Sequence, residues 1–389
     1  MANTNRNGLV LLSLTFLSWG LLTSANSILV PHFQSLFGLN YKQSMLVQIA
    51  FYLAPFVTCI PCSQVMNRLG YKVSLSLSLL LAAVGGCSFS FAIAMGSFTG
   101  SLVGIFVIAL GVAAMQVVAN PYVTQIGEVR TASRRLTFTS SINSLGTTLA
   151  PLILGITLAS AGVENIYLIL SVGLLLLSLL TWKGPLQDVR GKGGVKLHGQ
   201  LIALTNHKPF LLGAVTIFVY VGVEVAIGTV TISYLSDKNI VNLTSTAAAS
   251  LISLYWAGSM VGRFAYSFLG RKVESMRALF FSALLAVLLI ILAMFNGNVF
   301  GAVCLIAIGL CNSFMYPVIF YKSIEGLKDL TSSGSAVLVM CSVGGGIVPF
   351  VQASLIDHTS IPFSYIVPLL GYLIIASYGL YSKSSSSKR

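Results

Sequence analysis

The chain is poor in charge. Only 8% of its 389 residues are Asp, Glu, Lys or Arg, and nine of them are acids, against about a quarter charged in ordinary soluble domains. So little charge excludes a water-soluble globular protein. An appended soluble domain is excluded as well, because 56% of residues are hydrophobic and the mean hydropathy is +0.91 over the whole length. The four histidines, His32, His198, His207 and His358, lie in loops or at span ends, far apart in sequence. No metal-ligand or nucleophile constellation results, and no enzyme is indicated. All six cysteines fall in apolar stretches, where a thiol packs as a small hydrophobe. Cys59 and Cys62 form a C-x-x-C, but without the exposed, thiolate-favouring surroundings of a redox pair.

What the chain has instead is a succession of apolar runs. A membrane helix needs about 20 such residues. Runs punctuated by charge, Gly and Pro predict spans 1 to 6 near 8–33, 44–66, 73–95, 98–126, 136–160 and 164–182. Spans 7 to 12 follow near 208–235, 245–269, 275–296, 298–322, 332–356 and 362–382. The expected fold class is an all-α polytopic membrane protein with twelve transmembrane helices. A polar stretch with Gly191, Gly193 and Gly194 separates spans 6 and 7. The expected organisation is therefore an N-terminal six-helix half over 1–183, a cytoplasmic linker over 184–207 and a C-terminal six-helix half over 208–389.

A net charge of +13 could suggest nucleic acid, but the basic residues are distributed as a membrane protein requires. Nineteen of the 22 Lys and Arg residues fall at the termini and on alternate connections, two (Lys42 and Lys238) on the opposite side, and Arg263 within a span. The positive-inside rule leads us to expect both termini in the cytoplasm, and the expected location is a plasma membrane of the bacterial inner-membrane type. The basicity reads as topology, and no nucleic-acid partner is expected. The first apolar stretch lacks a small-residue cleavage site and runs into Pro31-His32-Phe33, so it reads as a retained span. Asn242-Leu243-Thr244 forms an outside-facing glycosylation triplet of the kind that occurs by chance.

The halves repeat each other. Ser144-x-Gly146 followed by Pro151 in span 5 recurs as Ser342-x-Gly344 followed by Pro349 in span 11, at an offset of 198. Tyr52-x-Ala54 in span 2, with Arg68 sixteen residues after the Tyr, recurs as Tyr255-x-Ala257 in span 8 with Arg271, at an offset of 203. Two six-helix pseudo-repeats with cytoplasmic termini resemble the major facilitator architecture, which implies a solute site near the midplane between the halves. The loop Asn67-Arg68-Leu69-Gly70-Tyr71-Lys72 resembles that superfamily's signature loop, with Asn67 in place of its acid and Tyr71 in place of a basic residue. Arg68 and Gly70 are thus candidates for gating or structure, as is Arg263.

Polar side chains inside a membrane tend to mark the solute path. Of the acids, Glu224 alone sits mid-span; it must be paired, protonated or facing water. The neutral set is Asn26, Ser27, Gln48, Gln116, Asn120, Gln125, Asn143, Asn312 and Gln352, with Trp19, Tyr52, Tyr255, Trp256 and Tyr316. Amides offer a donor and an acceptor to adjacent hydroxyls of a sugar, and aromatic faces cover its C–H side. Each amide could equally bond helix to helix. Pro121, Pro151 and Pro317 are expected at helix irregularities that shape a cavity, and Pro121 and Pro349 are candidates for gating or structure.

Longer stretches are more specific. They include Ser24-Ala25-Asn26-Ser27, Met45-Leu46-Val47-Gln48, Gln116-Val117-Val118-Ala119-Asn120-Pro121-Tyr122 and Asn143-Ser144-Leu145-Gly146. The second half adds Tyr220-Val221-Gly222-Val223-Glu224, Tyr255-Trp256-x-Gly258 through Arg263, and Gly344-Gly345-x-Ile347-Val348-Pro349. Together they resemble the fucose permease and glucose/galactose transporter family of the major facilitator superfamily, over nearly the whole chain. That resemblance implies proton-linked uptake of a monosaccharide. Ser27 stands where family members usually carry an Asp, and Gln116 where fucose-type members carry a Glu; the span 5 amide, Asn143, is kept.

The expectation is a secondary carrier of a hexose or of fucose working by alternating access. Asn26, Gln48, Gln116, Asn120, Asn143, Trp256 and Asn312 are its candidate sugar contacts and Glu224 its candidate proton carrier. No cofactor or metal is called for; a proton gradient is expected to drive it, with a Na⁺-linked or uncoupled facilitator, or a carrier of another polar solute, as alternatives. The expected partners are a sugar and the lipid bilayer, and the expected state is a monomer.

Overall fold

In hydrocarbon every backbone N–H and C=O must be bonded within the protein, so long apolar runs become helices. The computed structural model describes residues 2–126, 132–186, 202–269, 274–327 and 330–386, and among these the regular structure is helical. Spans 1 to 6 are Ala2–Phe37, Tyr41–Ser44 with Leu46–Leu69, Tyr71–Ala94, Phe98–Gln125, Ala132–Ala161 and Val163–Lys183. Spans 7 to 9 are Lys208–Ser236, Ser245–Leu269 and Ser275–Phe295. Span 10 is Val299–Asn312 with Met315–Ile324, span 11 Thr331–Met340 with Gly344–Ile356, and span 12 Ile361–Ser364 with Ile366–Ser386. Ten of these are, by length and composition, apolar enough to cross a membrane. Spans 5 and 8, which carry Asn143 and Arg263, complete the twelve. Most of the linker expected over 184–207 lies outside the described residues, as do Glu128, Asp188, Arg271 and Asp329.

The repeated glycines have a packing reason. A Cβ at Gly146 would strike the Leu17 carbonyl of span 1, beside the Cα of Gly20. Its counterpart Gly344 would strike the Phe218 carbonyl of span 7, and a Cβ at Gly222 would lie against Val348 and the Gly344 carbonyl. Spans 1 and 5, and again spans 7 and 11, thus approach backbone to backbone, as small residues allow in membranes.

By contacts the chain forms two units. One comprises Met1–Asn26 and Ala50–Val195, the other Ser27–Ile49 and Lys196–Arg389. The segment Ser27–Ile49 belongs to the first repeat by sequence and packs within the second unit by contact. There Asp357 accepts the backbone N–H of Tyr41 on Oδ1 and that of Lys42 on Oδ2, each at 2.9 Å. The Lys42 ammonium stands 5.6 Å from the Phe350 ring centroid. One turn further, Gly346 has no side chain to obstruct the backbone of Gln48 and Ile49.

Candidate functional site

Span 7 organises the polar groups of the second unit. Tyr220 and Glu224 are one turn apart, which puts them on the same helix face, and the Tyr220 hydroxyl donates to Glu224 Oε1 at 2.8 Å. The same hydroxyl lies 2.9 Å from the carbonyl of Asn312 in span 10. The Tyr255 hydroxyl of span 8 donates to the Glu224 backbone carbonyl at 3.0 Å. Asn312 joins the rest: its Nδ2 donates to the Tyr255 hydroxyl at 2.8 Å, and its Oδ1 accepts from the Tyr372 hydroxyl of span 12 at 2.7 Å. Asn312, Tyr220, Tyr255 and Tyr372 are sealed, whereas Glu224 is half-buried. Glu224 is therefore the least buried residue of the network.

Span 10 is broken beside this network, and the reason is local. Pro317, four residues after Ser313, has no N–H to give the Ser313 carbonyl. Arg263 of span 8 supplies the missing donor, with Nε 2.9 Å from that oxygen. The helix stops at Asn312 and resumes at Met315. The Arg263 guanidinium is also the positive charge that acts on Glu224, although among the described residues the carboxylate forms no ion pair.

The other expected residues of this unit divide by burial. Trp256 meets Tyr255 edge-on at 5.0 Å and covers Gly228, one turn beyond Glu224. Its ring is half-buried and its indole N–H has no partner among the described residues. Gln48 is fully buried and donates from Nε2 to Thr229 Oγ1 at 3.0 Å. Pro349 is buried in span 11.

In the first unit, Asn143 of span 5 donates from Nδ2 to the Phe16 carbonyl of span 1 at 2.9 Å, at the close approach made by Gly20 and Gly146. Asn120 folds back on its own helix, its Nδ2 2.9 Å from the Gln116 carbonyl. The half-buried amide of Gln116 makes no hydrogen bond among the described residues. Pro121 lies inside span 4 one residue after Asn120, and the helix runs through it without the irregularity expected there. Asn26 is buried, with 2% exposed. Gly70 has φ +84°, a conformation that favours glycine, and turns the chain between Arg68, which is exposed, and the half-buried Lys72, whose Nζ donates to the Gly184 carbonyl at 2.8 Å. No group of three or more metal-ligating side chains exists among the described residues.

The sequence profile of the Major Facilitator Superfamily matches residues 11–349. The chain belongs to this superfamily. Its relatives include the "Glucose/galactose transporter" of Brucella abortus biovar 1 (strain 9-941), 36% identical over 96% of this chain and 93% of the relative. The "L-fucose-proton symporter" of Escherichia coli (strain K12) is 30% identical over 94% of this chain and 90% of the relative. The crystal structure of the major facilitator transporter FucP in the outward conformation superposes with a TM-score of 0.72 at 27% identity, covering 97% and 99% of the two chains. The protein is thus a multi-pass membrane protein with the superfamily's twelve helices in two six-helix pseudo-repeats.

Within the superfamily fold, sequence reasoning passed over three residues. Tyr220 was legible, because its i, i+4 spacing to Glu224 is a helical pair. Tyr372 and Thr229 carried no signal: one is an aromatic in an apolar span, the other a small hydroxyl, and their partners are 60 and 181 residues away.

Proposed function

We propose that the protein is a secondary active transporter of a monosaccharide, a hexose such as glucose or galactose or the deoxyhexose fucose, and that protons drive it through Glu224. It performs no covalent chemistry, resides in a bacterial-type inner membrane with both termini cytoplasmic, and works as a monomer. The relatives' names support the substrate class, and the charge asymmetry of the loops supports the topology. The observation that carries the coupling is the half-buried carboxylate of Glu224 in mid-span, bonded to Tyr220 and backed by Arg263. A group that alternates between charged and neutral must be reachable yet shielded, and Glu224 is both. For the sugar, Gln116 offers a half-buried amide that makes no hydrogen bond among the described residues, and Trp256 offers a half-buried aromatic face.

The test is uptake of labelled glucose, galactose, mannose and fucose into proteoliposomes with and without an inward proton gradient. Wild type should accumulate one of them with the gradient, and Glu224→Gln should equilibrate that sugar without concentrating it. Accumulation that survives in Glu224→Gln refutes the coupling role. Ser27 and Gln116 favour a second reading, a uniporter, because neither position then offers an acid. Equilibration indifferent to protons and Na⁺ in wild type would select it.

A further inference from the structure

The geometry points to Tyr220 as the positioning residue that carries the protonation state of Glu224 to the break in span 10. This rests on the reading of Glu224 as the proton carrier. A phenol has one proton to donate, and that of Tyr220 has two acceptors in reach: Glu224 Oε1 at 2.8 Å and the Asn312 carbonyl at 2.9 Å. It cannot serve both fully. A charged acceptor makes the stronger bond, so the ionised carboxylate accepts the phenol's hydrogen bond and the Asn312 carbonyl is left weakly held. When Glu224 gains a proton it becomes a donor. Its O–H then bonds to the phenol oxygen, and the phenol proton turns to the Asn312 carbonyl. The hydrogen bond on span 10 thus strengthens on protonation and weakens on release, with no proton leaving the phenol.

Asn312 is where such a change has mechanical effect. It is the last residue before the break, where helix carbonyls lack partners from their own helix. The neighbouring Ser313 carbonyl is held from span 8 by Arg263 Nε. The break is therefore gripped from two spans, and one of the two grips depends on Glu224. The remaining ionisable groups around the carboxylate are held differently. Tyr255 donates to the Glu224 backbone carbonyl and Tyr372 to Asn312 Oδ1, so neither exchanges partners when the carboxylate titrates. Cys311 faces Tyr255 and Tyr372, and Arg263 contributes a fixed charge. Among the described residues, the Tyr220 hydroxyl alone touches both the carboxylate and the break.

Tyr220→Phe removes the hydroxyl and leaves the ring, the carboxylate and Arg263. Losing a hydrogen bond to a charged group should cost gradient-driven accumulation roughly tenfold. Sugar counterflow, which needs no net proton movement, should stay near wild type and also reports that the variant is folded. Tyr220→3,5-difluorotyrosine keeps the shape but makes the phenol a stronger donor, and should shift the pH midpoint of uptake. If Glu224→Gln abolishes accumulation while Tyr220→Phe accumulates like wild type, the role of Tyr220 is wrong and that of Glu224 stands. If both accumulate like wild type, the reading of Glu224 fails and takes this one with it. Loss of counterflow in Tyr220→Phe alone, or an unmoved pH midpoint in the fluorinated variant, would also overturn the proposal.

Discussion

Truncating Asn312 to alanine separates a structural tie from a sugar contact. The side chain is fully buried and both ends of its amide are engaged, at 2.8 Å to Tyr255 and 2.7 Å to Tyr372. Without it the Tyr372 hydroxyl has no acceptor, whereas Tyr255 still donates to the Glu224 carbonyl. An orphaned buried hydroxyl costs about 1–3 kcal/mol, and a void of roughly 25 Å³ adds about 0.6 kcal/mol. Interhelical bonds in membranes average only about 0.6 kcal/mol, which sets the lower bound, so the loss should fall near ~2 kcal/mol. Thermal unfolding of the detergent-purified variant should begin several degrees lower, with sugar affinity of the folded fraction within about twofold of wild type. Asn312→Leu, which fills the void but leaves the same orphan, should recover only part of the midpoint. An unchanged midpoint combined with about tenfold weaker sugar binding would refute this reasoning and return Asn312 to the solute.

Two further perturbations address the packing. Gly344→Ala drives a Cβ into the Phe218 carbonyl, a backbone atom that cannot rotate aside, and should destabilise by about 1–3 kcal/mol or more; Gly173→Ala in span 6, where nothing lies within 4 Å, is the control that should leave the thermal midpoint unchanged. Asp357→Ala removes the acceptor of the Tyr41 and Lys42 amides, and hydrogen–deuterium exchange there should quicken roughly three- to tenfold. Unchanged exchange would mean that the exposed carboxylate contributes nothing to holding the start of span 2.

Much of the architecture was legible in the sequence because its causes are local. Hydrocarbon demands about 20 apolar residues per span, so the twelve helices can be read from the chain alone. Glu224 stood out for a related reason, since a carboxylate in mid-span is too costly to be incidental. The Gly146 and Gly344 repeat was also visible, although its purpose, backbone contact of span 5 with span 1 and of span 11 with span 7, was not.

Which amides are committed was decided by tertiary structure. Asn312, Gln48 and Gln116 look alike in sequence, each a neutral amide within an apolar run. In the folded chain Asn312 holds two tyrosines, Gln48 holds Thr229, and the Gln116 amide makes no hydrogen bond among the described residues. The sequence alone determined that polar groups lie within the membrane and of what kind, because hydropathy and charge belong to single residues. Only the tertiary structure decided which are satisfied, because a hydrogen bond belongs to two residues and packing brings its second partner from a distant span.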